Sequence, residues 1–319
     1  MTRVVAALLL MLLPGGVGAE TFPARPITMI VPFAAGGPAD VVARTLAAAL
    51  GKYGQIIVEN INGAGGNIAS ARVAHATPDG YTLLFQNISM AVSPALYTKL
   101  EYNPLTDFDY IGLIAYQPNV VLARPDIPAK NFSEFVAYLK ANQKTLSFAN
   151  AGTGGASDLC ALLFLKAIDV DMTMVPYRGT ALALTDLLGG RVDLLCDSVA
   201  TAPPYIAAGK VRAFGVTSKD RWPLLPDVPS LQEEGLAGFD ATNWTGLYAP
   251  KNTPPPVLER LNQMLRETVA DPAFKGNLAR VGSLPVTPDR ATPQALQSYL
   301  KQEIARWGAV IKAAHIRVE

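Results

Sequence analysis

Short apolar runs alternate with amphipathic stretches along most of the chain, with glycine-rich or polar segments between them. The first apolar run, at residues 27–31, is rich in β-branched side chains, as is typical of a buried parallel strand. After it, apolar residues at positions 41, 42, 46, 47 and 50 recur at helical spacing, and Gly51 follows where a helix would end. The pattern predicts a strand, a tight loop and a helix, in that order.

The connecting loop contains Gly36 and Gly37 and is followed by Pro38. Proline suits the first position of a helix because its missing N–H costs nothing there. Asp40 then falls in the first helical turn, where the helix dipole favours an acid. The free N–H groups of that turn point into the loop, and such a helix end binds anions readily. A glycine-rich turn with a purely structural role is the alternative interpretation.

Two further glycine-rich loops have the same position between a strand and a helix. One lies at residues 60–67, between a strand predicted at 55–59 and a helix at 68–75; the other lies at 150–158, between a strand at 146–149 and a helix at 159–168. Three such loops in one chain favour a cleft that is lined by backbone donors. We therefore expect an anion-binding site.

The rest of the chain continues the alternation of strands and helices. Further strands are predicted at 81–85, 110–115, 172–175, 192–196, 211–216 and 244–249, and further helices at 94–97, 134–141, 181–188, 205–208, 230–234, 253–269, 272–280 and 292–313. Ser133 is expected to cap the helix at 134–141. Alternating strand–helix units predict parallel sheets with helices on both faces.

We divide the chain into a targeting segment at residues 1–19, one discontinuous domain at 20–120 and 241–319, and a second domain at 121–240. Two sheet domains that are joined by more than one crossover form a hinge. Ligands of open α/β sheets lie in the crevice beyond the carboxyl ends of the strands. Every glycine-rich or polar loop leaves such an end. The predicted fold class is therefore α/β, with two α/β domains, a hinge and an interdomain ligand cleft.

Residues of the loops at the strand ends form the predicted ligand-binding site. They are Phe33, Ala35, Gly36, Gly37, Asp40, Gly65, Gln86, Asn87, Ser89, Gly152, Thr153, Gly154, Gly155, Ala156, Ser157, Asp158, Tyr177, Arg178 and Asp197. Arg178 is the only lysine or arginine among them. Backbone N–H groups, helix N-termini and hydroxyls are therefore expected to hold the anion.

The composition excludes several classes of function. Charged residues make up 17% of the chain and the net charge is +1, so no basic stripe is available to neutralise nucleic-acid phosphates. Only two histidines occur, His75 and His315, so few residues could serve as the histidine of a catalytic triad. Asp40, Asp158 and Asp197 could form a carboxylate cluster for acid–base work, but acids are common in first helical turns. We predict no cofactor, no metal site and no enzymatic activity.

The first residues have the features of a signal peptide. Arg3 supplies the positive region, residues 4–13 supply the apolar region, and Val17-Gly18-Ala19 supplies a cleavage site with small residues. The apolar run is too short to span a bilayer. We expect cleavage near Ala19 and an exported protein in the periplasm.

The chain has two cysteines, Cys160 and Cys196. The first lies in the helix predicted after the third glycine-rich loop, and the second ends the strand predicted at 192–196. An oxidising compartment would permit a disulfide between them. The sequence cannot supply the Cα separation that a disulfide needs. A disulfide and two buried free thiols are both compatible with the sequence.

A series of motifs runs through the mature chain in order. It comprises Pro26-Ile27, Val31-Pro32-Phe33-Ala34-Ala35-Gly36-Gly37-Pro38-Ala39-Asp40, Val58-Glu59-Asn60, Gly63-Ala64-Gly65-Gly66-Asn67, Pro78-Asp79-Gly80-Tyr81-Thr82-Leu83-Leu84, Val175-Pro176-Tyr177-Arg178-Gly179, Asp186-Leu187-Leu188-Gly189-Gly190-Arg191-Val192-Asp193 and Leu225-Pro226-Asp227-Val228-Pro229-Ser230. This series resembles the Bug-type periplasmic solute receptors, the substrate-binding subunits of tripartite tricarboxylate transporters. The resemblance covers essentially the whole mature chain.

The resemblance implies the Venus-flytrap fold of type II periplasmic binding proteins. It also implies a small organic carboxylate that is held between the domains and delivered to a small and a large membrane subunit; we expect the receptor to be a monomer. By the same resemblance, backbone groups of residues 33–40 and 152–158 hold the ligand carboxylate with ordered waters. Asp158 departs from the family, since many members carry histidine there. Its carboxylate would repel an anion unless it hydrogen-bonds a ligand donor or a helix N–H.

Two other functions could use the same cleft. One is an exported enzyme that acts on a small organic acid, and the other is a solute sensor that docks on a receptor kinase. Intact recovery of the ligand would separate a receptor from an enzyme. Neighbouring genes for one small and one large membrane subunit would favour transport over signalling.

Overall fold

The computed structural model describes residues 22–313. The predicted signal peptide at residues 1–19 therefore lies outside the described residues. Within this part, the chain forms two β-sheets that are flanked by helices. None of the helices described there is both long enough and apolar enough to cross a bilayer.

The predicted strands occur in the predicted order, and two strands at residues 119–123 and 284–285 are additional. The strands are β1 (Ile27–Val31), β2 (Ile56–Asn60), β3 (Thr82–Asn87), β4 (Phe108–Gln117), β5 (Asn119–Ala123), β6 (Ser147–Asn150), β7 (Thr173–Pro176), β8 (Leu194–Ser198), β9 (Arg212–Val216), β10 (Asn243–Pro250) and β11 (Leu284–Pro285). The helices are α1 (Pro38–Leu50), α2 (Asn67–Ala74), α3 (Ser89–Leu96), α4 (Phe132–Asn142), α5 (Ala156–Ala167), α6 (Thr180–Leu188), α7 (Pro203–Ala207), α8 (Pro255–Ala270), α9 (Pro272–Arg280) and α10 (Pro293–Ala313).

The first sheet has six strands in the order β11-β4-β10-β3-β1-β2. β1 runs parallel to both β2 and β3, as the alternating pattern predicts. β10 runs antiparallel to β3 and β4, and β11 runs antiparallel to β4. The predicted parallel pairing is therefore confirmed for β1 with β2 and β3 and is wrong for β10 and β11.

The second sheet has the order β7-β6-β8-β5-β9, with β5 antiparallel to both β8 and β9. The antiparallel pairs arise where the chain crosses between the sheets. Gln117, where the chain leaves the first sheet, pairs with Asn243, where it returns. In the second sheet, Val120 pairs with Val216 in the same way. Because the outgoing and returning strands lie side by side, they must run in opposite directions.

The core of the first sheet joins chain segments that are distant in sequence. Trp244 of β10 and Trp307 of α10 are fully buried. Both indole N–H groups donate to Glu303 Oε2, at 3.3 Å from Trp244 and at 2.9 Å from Trp307. α10 also packs on α3 and β4. The C-terminal helices therefore cover the sheet that the N-terminal strands begin.

Apolar clusters cover both faces of the second sheet. One cluster contains Phe135, Phe148 and Phe164, and the other contains Leu195 and Trp222. Burial on both faces explains why these strands are continuously apolar rather than alternating.

Two local predictions are wrong. Asn131, rather than Ser133, caps α4, because its Oδ1 accepts the N–H of Glu134 at 2.9 Å. An asparagine at this position satisfies a free N–H of the first helical turn as well as a serine would. The helix predicted at 230–234 is a turn.

Candidate functional site

The loops before α1 and α5 have the same backbone conformation. We call residues 32–40 loop 1 and residues 151–158 loop 3. Gly36 and Gly154 have φ angles of +78° and +75°, a region that favours glycine. The next residues, Gly37 and Gly155, are extended N-caps with φ angles of −76° and −82°. The glycine pairs of both loops therefore turn the chain in the same way into a helix.

Asp40 fixes loop 1 from the inside. Its side chain is only 2% exposed. Oδ2 accepts the N–H of Gly36 at 2.8 Å and Nε of Arg44 at 2.9 Å, and Oδ1 accepts Nδ2 of Asn60 at 2.9 Å. Burial raises the pKa of Asp40, but its three donors and the positive charge of Arg44 outweigh burial and hold the pKa below its usual value. Asp40 is therefore an ionised brace of the loop.

Asp158 fixes loop 3 in the same manner and is 6% exposed. Oδ2 accepts the N–H of Gly154 at 2.9 Å, and Oδ1 accepts Nδ2 of Asn150 at 2.8 Å. Burial raises the pKa of Asp158, and the hydrogen bond from Gly154 lowers it by less. The carboxyl that departs from the family pattern thus bonds a loop N–H.

Backbone donors remain free at the start of both helices. No hydrogen bond between residues of the 22–313 range uses the N–H groups of Ala39 and Asp40 in α1. The same is true of the N–H groups of Ser157 and Asp158 in α5. These groups lie in first helical turns, where the helix dipole favours an anion.

Loop 3 and the start of α5 contact a helix and the core of the first sheet. A Cβ atom on Gly154 would collide with Leu96 of α3. Leu159, in the first turns of α5, packs in the core cluster of the first sheet. The polar segment after β7, which contains the predicted site residue Tyr177, is also adjacent to loop 3. Its Tyr177 N–H donates to the carbonyl oxygen of Asn150 at 2.9 Å. The structure thus brings loop 3 against both the first-sheet helix and the β7 loop.

The second glycine-rich segment, at residues 61–66, is braced by the end of β3. Gly66 lies against Gln86, so a Cβ there would be 3.0 Å from Nε2 of that side chain. Gln86 Nε2 donates to Ser70 Oγ at 3.0 Å, and Ser70 Oγ donates to Gly66 O at 3.1 Å. Gly65, a predicted site residue, lies against the hydroxyl of Tyr97. Gln86 therefore holds this segment in place.

The polar residues at and after the end of β3 differ in whether their side-chain atoms have hydrogen-bond partners. Gln86 and Asn87 lie within β3 rather than in the predicted loop. Asn87 Oδ1 accepts the N–H of Ser89 at 3.0 Å. Ser89 Oγ is buried and has no hydrogen-bond partner among residues 22–313. Of the fully buried polar side-chain atoms in these three predicted residues, Ser89 Oγ is the one without a partner among residues 22–313.

Three predicted residues lie on the second sheet's other strand ends. Tyr177 donates its hydroxyl to Asp186 at 2.7 Å, and the Arg178 side chain is exposed. Asp197 is 1% exposed and accepts the N–H of Ser198 and the hydroxyl of Thr201, both at 2.7 Å. Burial raises the pKa of Asp197 to about 6, against the lowering effect of these two bonds.

The remaining predicted residues form the surfaces of loops 1 and 3. Ala35 and Thr153 are exposed, and Phe33, Gly152 and Ala156 are half-buried. The Ser157 hydroxyl is engaged, because it accepts the N–H of Ala151 at 3.3 Å and donates to the carbonyl of Cys196.

Cys160 of α5 and Cys196 of β8 form a disulfide, with their Cα atoms 6.1 Å apart. This separation lies within the range that disulfides require. The structure thereby decides between the two states of the cysteines that the sequence leaves open. The disulfide links α5, two residues after Asp158, to the strand whose carbonyl binds Ser157. Loop 3 is thus fastened to the second sheet.

Sequence reasoning missed the side chains that brace these loops. Asn60 and Asn150 donate to the two aspartates, and Arg44 neutralises Asp40. An asparagine as the last residue of a strand, directly before a glycine-rich loop, was the available signal for both amides.

A cavity of about 430 Å³ lies elsewhere, on the side of the crossovers. It is lined by α5 residues such as Lys166, by residues 235–240 and by Arg306 of α10. No predicted site residue lines it. We place the candidate site at loops 1 and 3 because the free donors and buried acids lie there.

The architecture and the paired loops identify the class. Two α/β sheets with two adjacent crossovers, and with Gly-Gly loops at the strand ends of both, form the fold of periplasmic binding proteins. The predicted fold is thereby confirmed. Residues 39–316 match the tripartite tricarboxylate transporter family receptor, and the chain belongs to this family. The resemblance to Bug-type receptors is likewise confirmed.

Solved structures of similar chains support this assignment. The periplasmic binding protein BugD is 42% identical, with 93% of this chain and 100% of that chain covered and a TM-score of 0.84. MatC from Rhodopseudomonas palustris, with bound malate, is 40% identical, with 91% and 100% covered and a TM-score of 0.82. Rpa4515 from R. palustris, with adipate, is 31% identical, with 93% and 100% covered and a TM-score of 0.85. The family consists of receptors rather than enzymes. At the level of the family, this supports the prediction that the chain has no enzymatic activity.

Proposed function

We propose that the chain is a solute-binding receptor that captures a small organic carboxylate between two domains and delivers it to a tripartite tricarboxylate-type membrane transporter. Membership of the receptor family supports the role. The malate bound to MatC and the adipate bound to Rpa4515 support a carboxylate as the ligand class.

The pairing of loop 1 with loop 3 is the observation that carries this proposal. Each loop has first-turn N–H groups that no residue of the 22–313 range accepts, at Ala39 and Asp40 and at Ser157 and Asp158. A charge-assisted hydrogen bond of this kind contributes about 1.5–3 kcal/mol. Several donors can therefore bind a carboxylate without a cationic side chain. Ser89, with its free buried hydroxyl, is available for a further polar group of the ligand.

We propose that residues 20–120 with 241–319 form one domain and residues 121–240 the other, and that they close on the ligand. The adjacent crossovers support this arrangement, because Gln117 pairs with Asn243 at the point where the chain passes between the sheets. Two neighbouring connections can bend together as a hinge. The loops at the strand ends would then approach each other.

The place of action and the partners also belong to this proposal. We propose export with cleavage near Ala19, and action in the periplasm as a monomer. A small and a large membrane subunit would receive the carboxylate. The charge and apolar pattern of the first residues, and the description of the family as a transporter receptor, support these statements.

The test is a thermal-shift screen with malate, adipate, citrate and benzoate, followed by titration calorimetry. We expect at least one acid to bind; at a hundred times its dissociation constant it should stabilise the protein by about 2.7 kcal/mol. The uncharged diamide of malate or adipate is the matched control and should give no shift. Mass spectrometry should recover the acid intact. Conversion of the acid, or no response to any carboxylate, would contradict the proposal.

A further inference from the structure

Asp40 and Asp158 occupy the same place in loops 1 and 3, but among residues 22–313 only Asp40 has a cationic partner. Arg44, one helical turn after Asp40, donates to it at 2.9 Å and is 52% exposed. The corresponding residue of α5 is Leu162, which is half-buried. The donors to Asp158 are instead a side-chain amide and a backbone N–H, both neutral.

The two loops therefore differ in charge when both aspartates are ionised. In loop 1 the carboxylate and the guanidinium cancel each other. In loop 3, an ionised Asp158 is a negative charge that no cationic side chain among residues 22–313 balances, in the same turn as the free N–H groups. Two carboxylates that share a site disfavour joint ionisation. An ionised Asp158 therefore weakens the attraction of loop 3 for a ligand carboxylate.

We propose that Asp158 takes up a proton when loop 3 receives a carboxylate, so that this positioning residue sets the affinity of the site by its protonation state. The inference rests on the proposed function, because it requires a carboxylate on loop 3. The proton comes from solvent, bonds to a carboxyl oxygen of Asp158 and returns to solvent on release.

Burial of the Asp158 carboxyl acts in the same direction. It raises the pKa of Asp158 before any ligand arrives. A bound carboxylate raises that pKa further. Affinity should therefore fall as pH rises from the pKa of the free protein to the higher pKa of the complex, by about tenfold per pH unit. Outside this window Asp158 contributes no pH dependence.

Other titratable groups lie on the elements around Asp158. They are Asp197 at the end of β8, Tyr177 and Arg178 after β7, and Tyr97 after α3. Burial raises the pKa of Asp197 to about 6, so Asp197 is the neighbour that competes for assignment of the proton. The experiment therefore has to separate these two carboxyls.

The experiment is titration calorimetry of the mature protein with malate in buffers of different ionisation enthalpy, which counts the protons taken up. After subtraction of the protons that malate itself exchanges, known from its ionisation at each pH, the unaltered protein should take up a proton fraction that approaches about one within the pH window. Leu162→Arg gives loop 3 the cation of loop 1, and it should reduce the uptake towards zero and flatten the pH profile. Arg44→Leu is the matched reverse exchange and should add uptake at Asp40.

The Asp197→Asn variant shows whether Asp158 or Asp197 takes up the proton. Uptake that persists in Asp197→Asn and disappears in Leu162→Arg supports the proposal. Uptake that disappears in Asp197→Asn and persists in Leu162→Arg overturns it, as does malate binding without any uptake. We prefer Leu162→Arg to Asp158→Asn, because an asparagine amide would face the donor of Asn150 and disturb the loop.

A ligand-free measurement separates this inference from the proposed function. If malate gives no heat at any pH, malate is not the solute, and the charge asymmetry is then decided by the ¹³Cγ titration of both aspartates. A pKa of Asp158 above that of Asp40, and lowered by Leu162→Arg, supports the inference. A pKa of Asp158 at or below that of Asp40 overturns it.

Discussion

Gly36 and Gly154 have nearly identical φ angles, +78° and +75°, and each donates its N–H to an aspartate four residues later, at 2.8 Å and 2.9 Å. One glycine precedes a helix of the first sheet and the other precedes a helix of the second. The same loop conformation therefore occurs once on each side of the proposed cleft. A carboxylate that binds between them meets donors from both.

Alanine at either glycine should weaken carboxylate binding. A Cβ in the left-handed region costs about 1–2 kcal/mol, and the strain displaces the first-turn N–H groups. Gly154→Ala should lower the free energy of unfolding more than Gly36→Ala, since its Cβ collides with Leu96, whereas nothing lies within 4 Å of a Cβ on Gly36. Urea unfolding and calorimetry measure the two effects.

Gly190→Ala is the matched control for backbone strain. Gly190 has a φ of +69° and nothing within 4 Å of its added Cβ, and it follows α6 rather than preceding a candidate loop. This variant should lose stability but retain binding. Normal binding by a folded Gly36→Ala variant would contradict the role of loop 1.

Removal of the disulfide should lower the free energy of unfolding. Cys160 and Cys196 are separated by 36 residues in sequence, and closing a loop of that length contributes about 4 kcal/mol in the chain-entropy account. Urea unfolding of the double variant Cys160→Ala/Cys196→Ala, compared with the oxidised protein, measures the loss. The two alanines also leave a small packing defect. The reduced protein of unaltered sequence is therefore the control, because it lacks the bridge but keeps both cysteine side chains. Equal stability of the oxidised and reduced proteins would show that the bridge contributes nothing.

The stability of the protein should fall between about pH 4 and pH 6 because of Asp197. Its pKa is about 6 in the folded chain against an ordinary value of 3.8. The folded state thus holds the proton that the unfolded state loses first, so the free energy of unfolding falls as pH rises through this window and is constant above it. The free energy of unfolding falls by about 3 kcal/mol across this window.

Asp197→Asn should remove this pH dependence, since the amide can still accept the N–H of Ser198 and donate to the hydroxyl of Thr201. Urea unfolding from pH 4 to pH 7 compares the two proteins. A profile that is the same with and without Asp197→Asn would show that another group titrates.

Binding should make the protein more compact. If the domains close about the adjacent crossovers, the radius of gyration falls on saturation with a tight carboxylate. Small-angle scattering with and without that carboxylate measures the change. An unchanged radius, with the ligand-free protein shown to be open, would contradict closure.

Much of the fold follows from the periodicity of the sequence. β1 and α9 have the predicted bounds, and Gly37 and Pro38 begin α1 as the capping rules require. The direction of β10 does not follow, because antiparallel pairing with β3 and β4 depends on where the chain returns from the second sheet. Local pattern contains no information about that return.

The backbone of the candidate site was predictable from the sequence, whereas its side-chain contacts were not. Glycine-rich loops at strand ends mark loops 1 and 3, since such turns and helix starts have sequence signals. The contrast between Arg44 and Leu162 as neighbours of the two aspartates becomes meaningful only when the loops are superposed in three dimensions. The engagement of Gln86 with Ser70 is a long-range contact that no spacing reveals.

The most direct test of the account follows the backbone amides of loops 1 and 3 by ¹H–¹⁵N NMR during titration with malate and adipate. We predict that the amide signals of Ala39, Asp40, Ser157 and Asp158 shift together, with one dissociation constant, and that those of Gly190 do not. Saturable carboxylate binding that leaves these four amides unchanged would contradict the account.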